Sequence, residues 1–108
     1  MSEFGKENVI KIFDYAGSFA ENKDTARKIR VDIIFPMLER GNNVILDFSG
    51  VNSATQSFMH ALISEPIRKK GIDILDRIFF KNCSEVVKKI VIIVTGYMQH
   101  EEESIDGT

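Results

Sequence analysis

The spacing of hydrophobic residues changes several times along the chain, and each change marks an element. In NVIKIFDYA (8–16), Ile10 and Ile12 fall on one side and Val9, Phe13 and Tyr15 largely on the other, which predicts a strand rich in β-branched and aromatic residues. After the polar connection GSFAENKD, Ala26, Ile29, Ile33 and Met37 recur three and four residues apart. That spacing predicts a helix capped by Asp24 or Thr25, kinked at Pro36 and stopped by Gly41. NNVILDF is a short apolar run closing on Asp47, the pattern of a buried central strand. Phe58, Ala61, Leu62 and Glu65 trace a second helical stripe that loses regularity at Pro66, and RIFFKN is a third short strand.

KKIVIIVTGYM is β-branched enough for a strand, yet Val87, Ile90, Val91, Val94 and Met98 fit one helical face. Asn82, three residues before Glu85, has capping-box spacing and favours the helix. From residue 101 the chain is acidic and small apart from Ile105, so residues 101–108 are expected to be a disordered tail and 1–100 a single domain. The order β-α-β-α-β-α favours an open α/β layer of short strands with about three helices packed on the sheet. In such sheets the loops after the strand ends make the sites.

Composition narrows the classes. With 108 residues, 44% of them hydrophobic, one modest core is the expectation. The single Cys83 cannot form an internal disulfide, and there is no paired Cys/His spacing for zinc, so neither metal nor cofactor is expected and a reducing cytoplasm fits best. MSEFGKENVI lacks an apolar leader core, and the longest apolar run, Ile90 to Val94, is far shorter than the roughly 20 residues of a membrane span. Net charge is −2, and removing Glu101, Glu102, Glu103 and Asp106 leaves residues 1–100 at +2. Near neutrality argues against electrostatic binding to nucleic acid.

The densest polar cluster lies in LDFSGVNSATQSFMHAL (46–62), where Asn52, Ser53, Thr55, Gln56 and Ser57 separate an apolar strand from an apolar helix. Helix initiation explains part of it: Ser53 and Gln56 have capping-box spacing, and Thr55 is an alternative N-cap. Ser57 falls at the first or second helical position, where a side chain caps poorly. A phosphoryl group there would sit near unpaired backbone N–H groups and the positive end of the helix dipole, which stabilises an anion by about 0.3–1 kcal/mol.

The run VILDFSGVNSATQSFMHALI, preceded by AGSFAENKDTARKIR, resembles the STAS-like domain family, a bacterial group, over most of residues 9–95. LDFSGV followed by QSF carries the resemblance. More distantly the segment is similar to STAS domains of anti-sigma-factor antagonists, which carry a serine phosphorylated by a partner kinase in an Asp-Ser-Ser-Gly-like motif. Thr55, Gln56, Ser57 and Phe58 occupy the four places of that motif, so the resemblance assigns phosphorylation to Ser57 ahead of Ser53 and Thr55, although Thr55 replaces the acid and Phe58 the glycine. It implies a regulatory, signalling role beside a kinase-like ATPase.

Other constellations say less. Ser57, His60 and Asp47 lack a GxSxG elbow, and Ser57 and His60, three apart on one helix, do not by themselves set a nucleophile-to-base geometry. No catalytic role is expected. Met59, Ile63 and Ile67 form a second apolar stripe beside Ser57, either a wider core or a contact surface. Arg68, Lys69 and Lys70 suit a helix C-terminus, whereas Arg27 and Arg30 could hold an anion.

The leading expectation is a non-catalytic protein-protein interaction module whose contact residues are Asn52, Ser53, Gln56, Ser57, Met59, His60, Ile63 and Ile67. The alternative is a nucleotide- or anion-binding regulatory domain using Arg27, Arg30 and the strand-end loops. Oligomeric state stays open, a homodimer included.

Overall fold

The computed structural model describes residues 8–107. Three parallel strands, β1 (Val9–Lys11), β3 (Val44–Asp47) and β5 (Ile78–Lys81), form a sheet with β3 in the centre. Two-residue strands β2 (Phe19–Ala20) and β4 (Ser53–Ala54) pair in parallel as a second small ladder. The α/β architecture is the one the hydrophobic pattern predicts.

Register explains the placement of the core. Ile10 aligns with Leu46, which in turn aligns with Phe80, and Val44 aligns with Ile78. On this face Ile10, Val44, Leu46 and Ile78 are all buried, and the Phe80 ring stacks on buried Phe48 at 6.4 Å. The opposite face carries Val9, Ile45 and Phe79 in one row and Lys11, Asp47 and Lys81 in the next. Val9 and Phe79 are 37% and 45% exposed, and both lysines are exposed. Right-handed crossovers that step across a sheet in one direction place their helices on one side, and the burial follows that rule.

The predicted first strand is shortened. Beyond Lys11 the chain turns into α1 (Ile12–Ala16), a five-residue helix. Ile12 still reaches the core while Phe13 and Tyr15 stay exposed, so the sidedness holds although the conformation does not. The first long helix starts at α2 (Lys23–Ile29), continues as a π-turn over Arg30–Ile34 and ends as α3 (Phe35–Glu39). Asn22, rather than Asp24 or Thr25, is its N-cap, with Oδ1 accepting from the amides of Asp24 at 2.8 Å and Thr25 at 3.2 Å. The wide turn precedes Pro36: a proline ring clashes with the carbonyl four residues back, and here the Phe35 amide reaches instead to the Arg30 carbonyl five residues back.

Helix α4 (Gln56–Lys70) runs on through Pro66, where the stripe loses regularity, to the basic residues of its last turn. Pro66 is buried, like Leu62, Ile63 and Ile67 around it, and burial of this face holds the helix through the proline. Gly71 ends it, followed by a 3-10 segment, Ile72–Arg77. The Arg77 guanidinium donates to the carbonyls of Leu38 at 3.1 Å and Asn42 at 2.7 Å, tying that segment to the end of α3. The last element is helical, α5 (Glu85–Gly107), with Val87 and Val94 buried. Its backbone stays helical through 101–107, where the sequence reading expects disorder; Glu101 to Glu103 are good helix formers and extend the helix already begun. Among the described residues no helix is long and apolar enough to cross a membrane.

Candidate functional site

The loops after β3 and β5 meet at the carboxyl ends of the strands. Asp47 Oδ1 accepts from the Ser49 amide and from Asn82 Nδ2, both at 2.9 Å. The Asn82 bond, then the Ser49 amide, and more weakly Lys11 and Lys81 on the flanking strands, hold the Asp47 carboxyl below the usual carboxylate range, against a small opposing effect of burial. Asn82 has φ +59°, a left-handed conformation that asparagine tolerates better than most residues. Asn82 therefore joins two strand ends and does not cap α5. That task falls to Ser84, whose hydroxyl accepts from the Val87 amide at 3.1 Å and donates to the Asn52 carbonyl at 3.0 Å. Neighbouring Cys83 is half-buried, and burial pushes its thiol pKa up.

The Asn52 amide donates to the Ser18 carbonyl at 2.8 Å, and the Thr55 amide to Ala20 at 2.9 Å. These bonds lay the segment before α4 against β2. Gly50 makes the turn possible, with φ +87° and a position where an added Cβ would lie 3.0 Å from the Phe13 ring.

Thr55 is the N-cap of α4, its Oγ1 accepting from the Phe58 amide at 3.1 Å. Ser53 lies in β4 and does not start the helix. Gln56 and Ser57 are then the first two helical residues, both exposed, and a helix has no acceptors of its own for its first amides. His60 is half-buried one turn further on. Phe58, Met59, Ile63 and Ile67 are 0–1% exposed. The second apolar stripe is thus a wider core, and Met59, Ile63 and Ile67 leave the expected contact surface because no partner reaches them. Asn52, Ser53, Gln56, Ser57 and His60 remain on accessible or half-accessible positions of the same loop and helix start.

Arg27 is exposed on α2. Arg30 is half-buried, its Nη1 donating to the Ala61 carbonyl at 2.8 Å and its Nε buried without a partner, so this guanidinium links α2 to α4. The second basic cluster faces α3: Lys69 lies 6.0 Å from the Phe35 ring centroid and Lys70 Nζ is 3.6 Å from Glu39. Among the described residues no group of acids, histidines and cysteine is arranged to hold a metal ion.

A groove of about 500 Å³ opens beside the helix start, lined by Lys23, Gln56, Ser57, His60, Ala61, Ile93 and Val94. It draws on α2, α4 and α5. Lys23, Ile93 and Val94 escape sequence reading because the only cue they carry is a place at the start of a helix or on a helical face, and nothing local states which helices meet.

A family model for the STAS-like domain of unknown function, DUF4325, matches residues 25–88. The chain belongs to this STAS-like family. The match runs from α2 to the first turn of α5 and contains the α4 start, the Asp47–Asn82 link and Arg30. No curated protein and no solved structure is significantly similar to the chain. Membership of the STAS-like family agrees with the α/β fold and suggests a regulatory role for the domain.

Proposed function

We propose that this STAS-like domain is a non-catalytic, cytoplasmic regulatory module that binds a protein partner through Asn52, Ser53, Gln56, Ser57 and His60, and that phosphorylation of Ser57 switches the contact off. The position of Ser57 carries the reading. It is exposed in the first turn of α4, the capping role beside it is filled by Thr55, and its side chain lines the groove. A phosphoryl group here adds roughly −1.5 to −2 charge at a helix end that tolerates an anion, so the fold stays intact. Burying that charge unpaired against a partner costs several kcal/mol, and at about 1.4 kcal/mol per tenfold in affinity, binding falls by two or more orders of magnitude.

Similarity of the helix start to the antagonist motif supports a kinase-like ATPase as the modifying partner, as in other phosphorylation-controlled switches. The test incubates the full chain with ATP and a histidine-kinase-like ATPase from the same organism, followed by peptide mass spectrometry. One phosphate on Ser57 is the expected product. An unmodified chain, or modification confined to residues outside the α4 start, removes the phosphorylation switch from the proposal.

A further inference from the structure

We infer that the groove between α4 and α5 is a binding site for a small organic anion: a phosphate or carboxylate group carried on an apolar body. Its volume, about 500 Å³, lies within the roughly 300–1,000 Å³ of sites that take small molecules. The lining combines two chemistries. Where α4 begins, Lys23 supplies a cation and Gln56 and Ser57 supply hydrogen-bonding groups. His60 and Ala61 line it about one turn, 5.4 Å, further along α4, and α5 contributes the apolar Ile93 and Val94. Ile93 is 47% exposed, a large apolar surface on the rim with room to be covered.

This split selects the ligand. Among the described residues no carboxylate lines the groove, and the one charged lining residue there, Lys23, attracts an anion. A purely apolar ligand would strip water from Lys23, Gln56 and Ser57 without replacing their hydrogen bonds. A bare inorganic anion would leave Ile93 in water and gain nothing from the apolar wall. Only a molecule with both parts uses both kinds of lining residue. The site differs from the expected anion site at Arg27 and Arg30, because neither arginine is among its lining residues. It does not rest on Ser57 phosphorylation, since Ser57 enters here through its unmodified hydroxyl.

The test titrates the isotopically labelled full chain with phenyl phosphate and benzoate, with inorganic phosphate and phenol as half-ligands, and follows backbone amides by NMR. At least one of the two amphiphilic anions should shift the amides of residues 56–61 and 93–94 saturably, with a dissociation constant on the order of millimolar. Both half-ligands should bind at least about tenfold more weakly. Lys23 and Ile93 are exposed enough for Lys23→Gln and Ile93→Gln to keep the native spectrum, and each should weaken binding at least about fivefold. Lys28→Gln makes the same charge change elsewhere on α2 and should leave the affinity unchanged. The inference is overturned if neither amphiphile shifts the groove amides, if inorganic phosphate binds as well as phenyl phosphate, or if Lys28→Gln weakens binding as much as Lys23→Gln.

Discussion

Asn82 Nδ2 donates to Asp47 Oδ1 at 2.9 Å, so the carboxyl ends of β5 and β3 are held together by one side-chain bond between residues thirty-five apart. The carboxylate also takes the Ser49 amide, which makes Asp47 the hinge post of the loop that leads to α4.

Replacing Asn82 separates two effects. Asn82→Gly removes the hydrogen bond but suits φ +59°, and should cost about 0.5–1.5 kcal/mol. Asn82→Ala loses the same bond and must also adopt a left-handed conformation, adding about 1 kcal/mol. The pH dependence follows from the lowered pKa of Asp47: stabilisation of its ionised form is complete above the ordinary carboxylate value and is lost as pH falls through the folded value. The stability gap between wild type and Asn82→Gly should therefore be constant from about pH 5 upward and close at lower pH. Urea denaturation across this range measures it, and a gap independent of pH would show that Asn82 acts through its backbone alone.

At Ser57, stability and binding should part company. Ser57→Ala should leave stability within about 0.5 kcal/mol of wild type, as expected for an exposed side chain with no capping role. Ser57→Asp should keep or raise it by about 0.3–1 kcal/mol through the helix dipole. The same Ser57→Asp should weaken partner binding at least about tenfold while Ser57→Ala binds normally. Thermal denaturation and calorimetric titration with the partner read the two quantities separately.

Ile63→Ala should destabilise the domain by about 2–5 kcal/mol, because Ile63 is fully buried beside Met59 and Ile67. A surface role would predict a loss within about 0.5 kcal/mol. Guanidinium denaturation distinguishes these values without knowledge of any partner.

The two hydroxyls before α4 should behave differently. Thr55→Ala removes the acceptor of the Phe58 amide and should cost about 1 kcal/mol. Ser53→Ala, two residues earlier in β4, should change stability by less than about 0.5 kcal/mol. Equal losses would mean that both hydroxyls contribute to starting the helix.

The sequence made the large elements legible where one physical rule dominates. The apolar run of β3, the stripe through Phe58 and Leu62, and the face through Val87, Ile90 and Val94 each carry a spacing that tertiary contacts then confirm. It misled where two rules compete. Ile10 and Ile12 on one side against Val9, Phe13 and Tyr15 on the other read as a strand, yet the chain turns helical at Ile12, and both conformations send Ile12 inward. Pro66 blurs the stripe in the sequence, but a buried face outweighs one missing hydrogen bond. Two-residue strands such as Ser53–Ala54 carry no periodicity to read. At the candidate site, Ser57 and its neighbours were legible as a cluster, and Thr55 as one of two caps. Whether Met59, Ile63 and Ile67 face solvent depended on what packs against them, and the groove required Lys23 and Ile93 to be brought together from opposite ends of the chain.

A sheet buried on one face has a consequence for how the sequence can drift. Along β3, Val44 and Leu46 are fully buried while Ile45 between them is not, so neighbouring positions answer to different selection. Across all three strands the row Val9, Ile45 and Phe79 can change in size and polarity with little effect on folding, whereas Ile10, Leu46 and Phe80 must change together or not at all. Half of each strand is therefore a record of the fold, and the other half is open to rewriting.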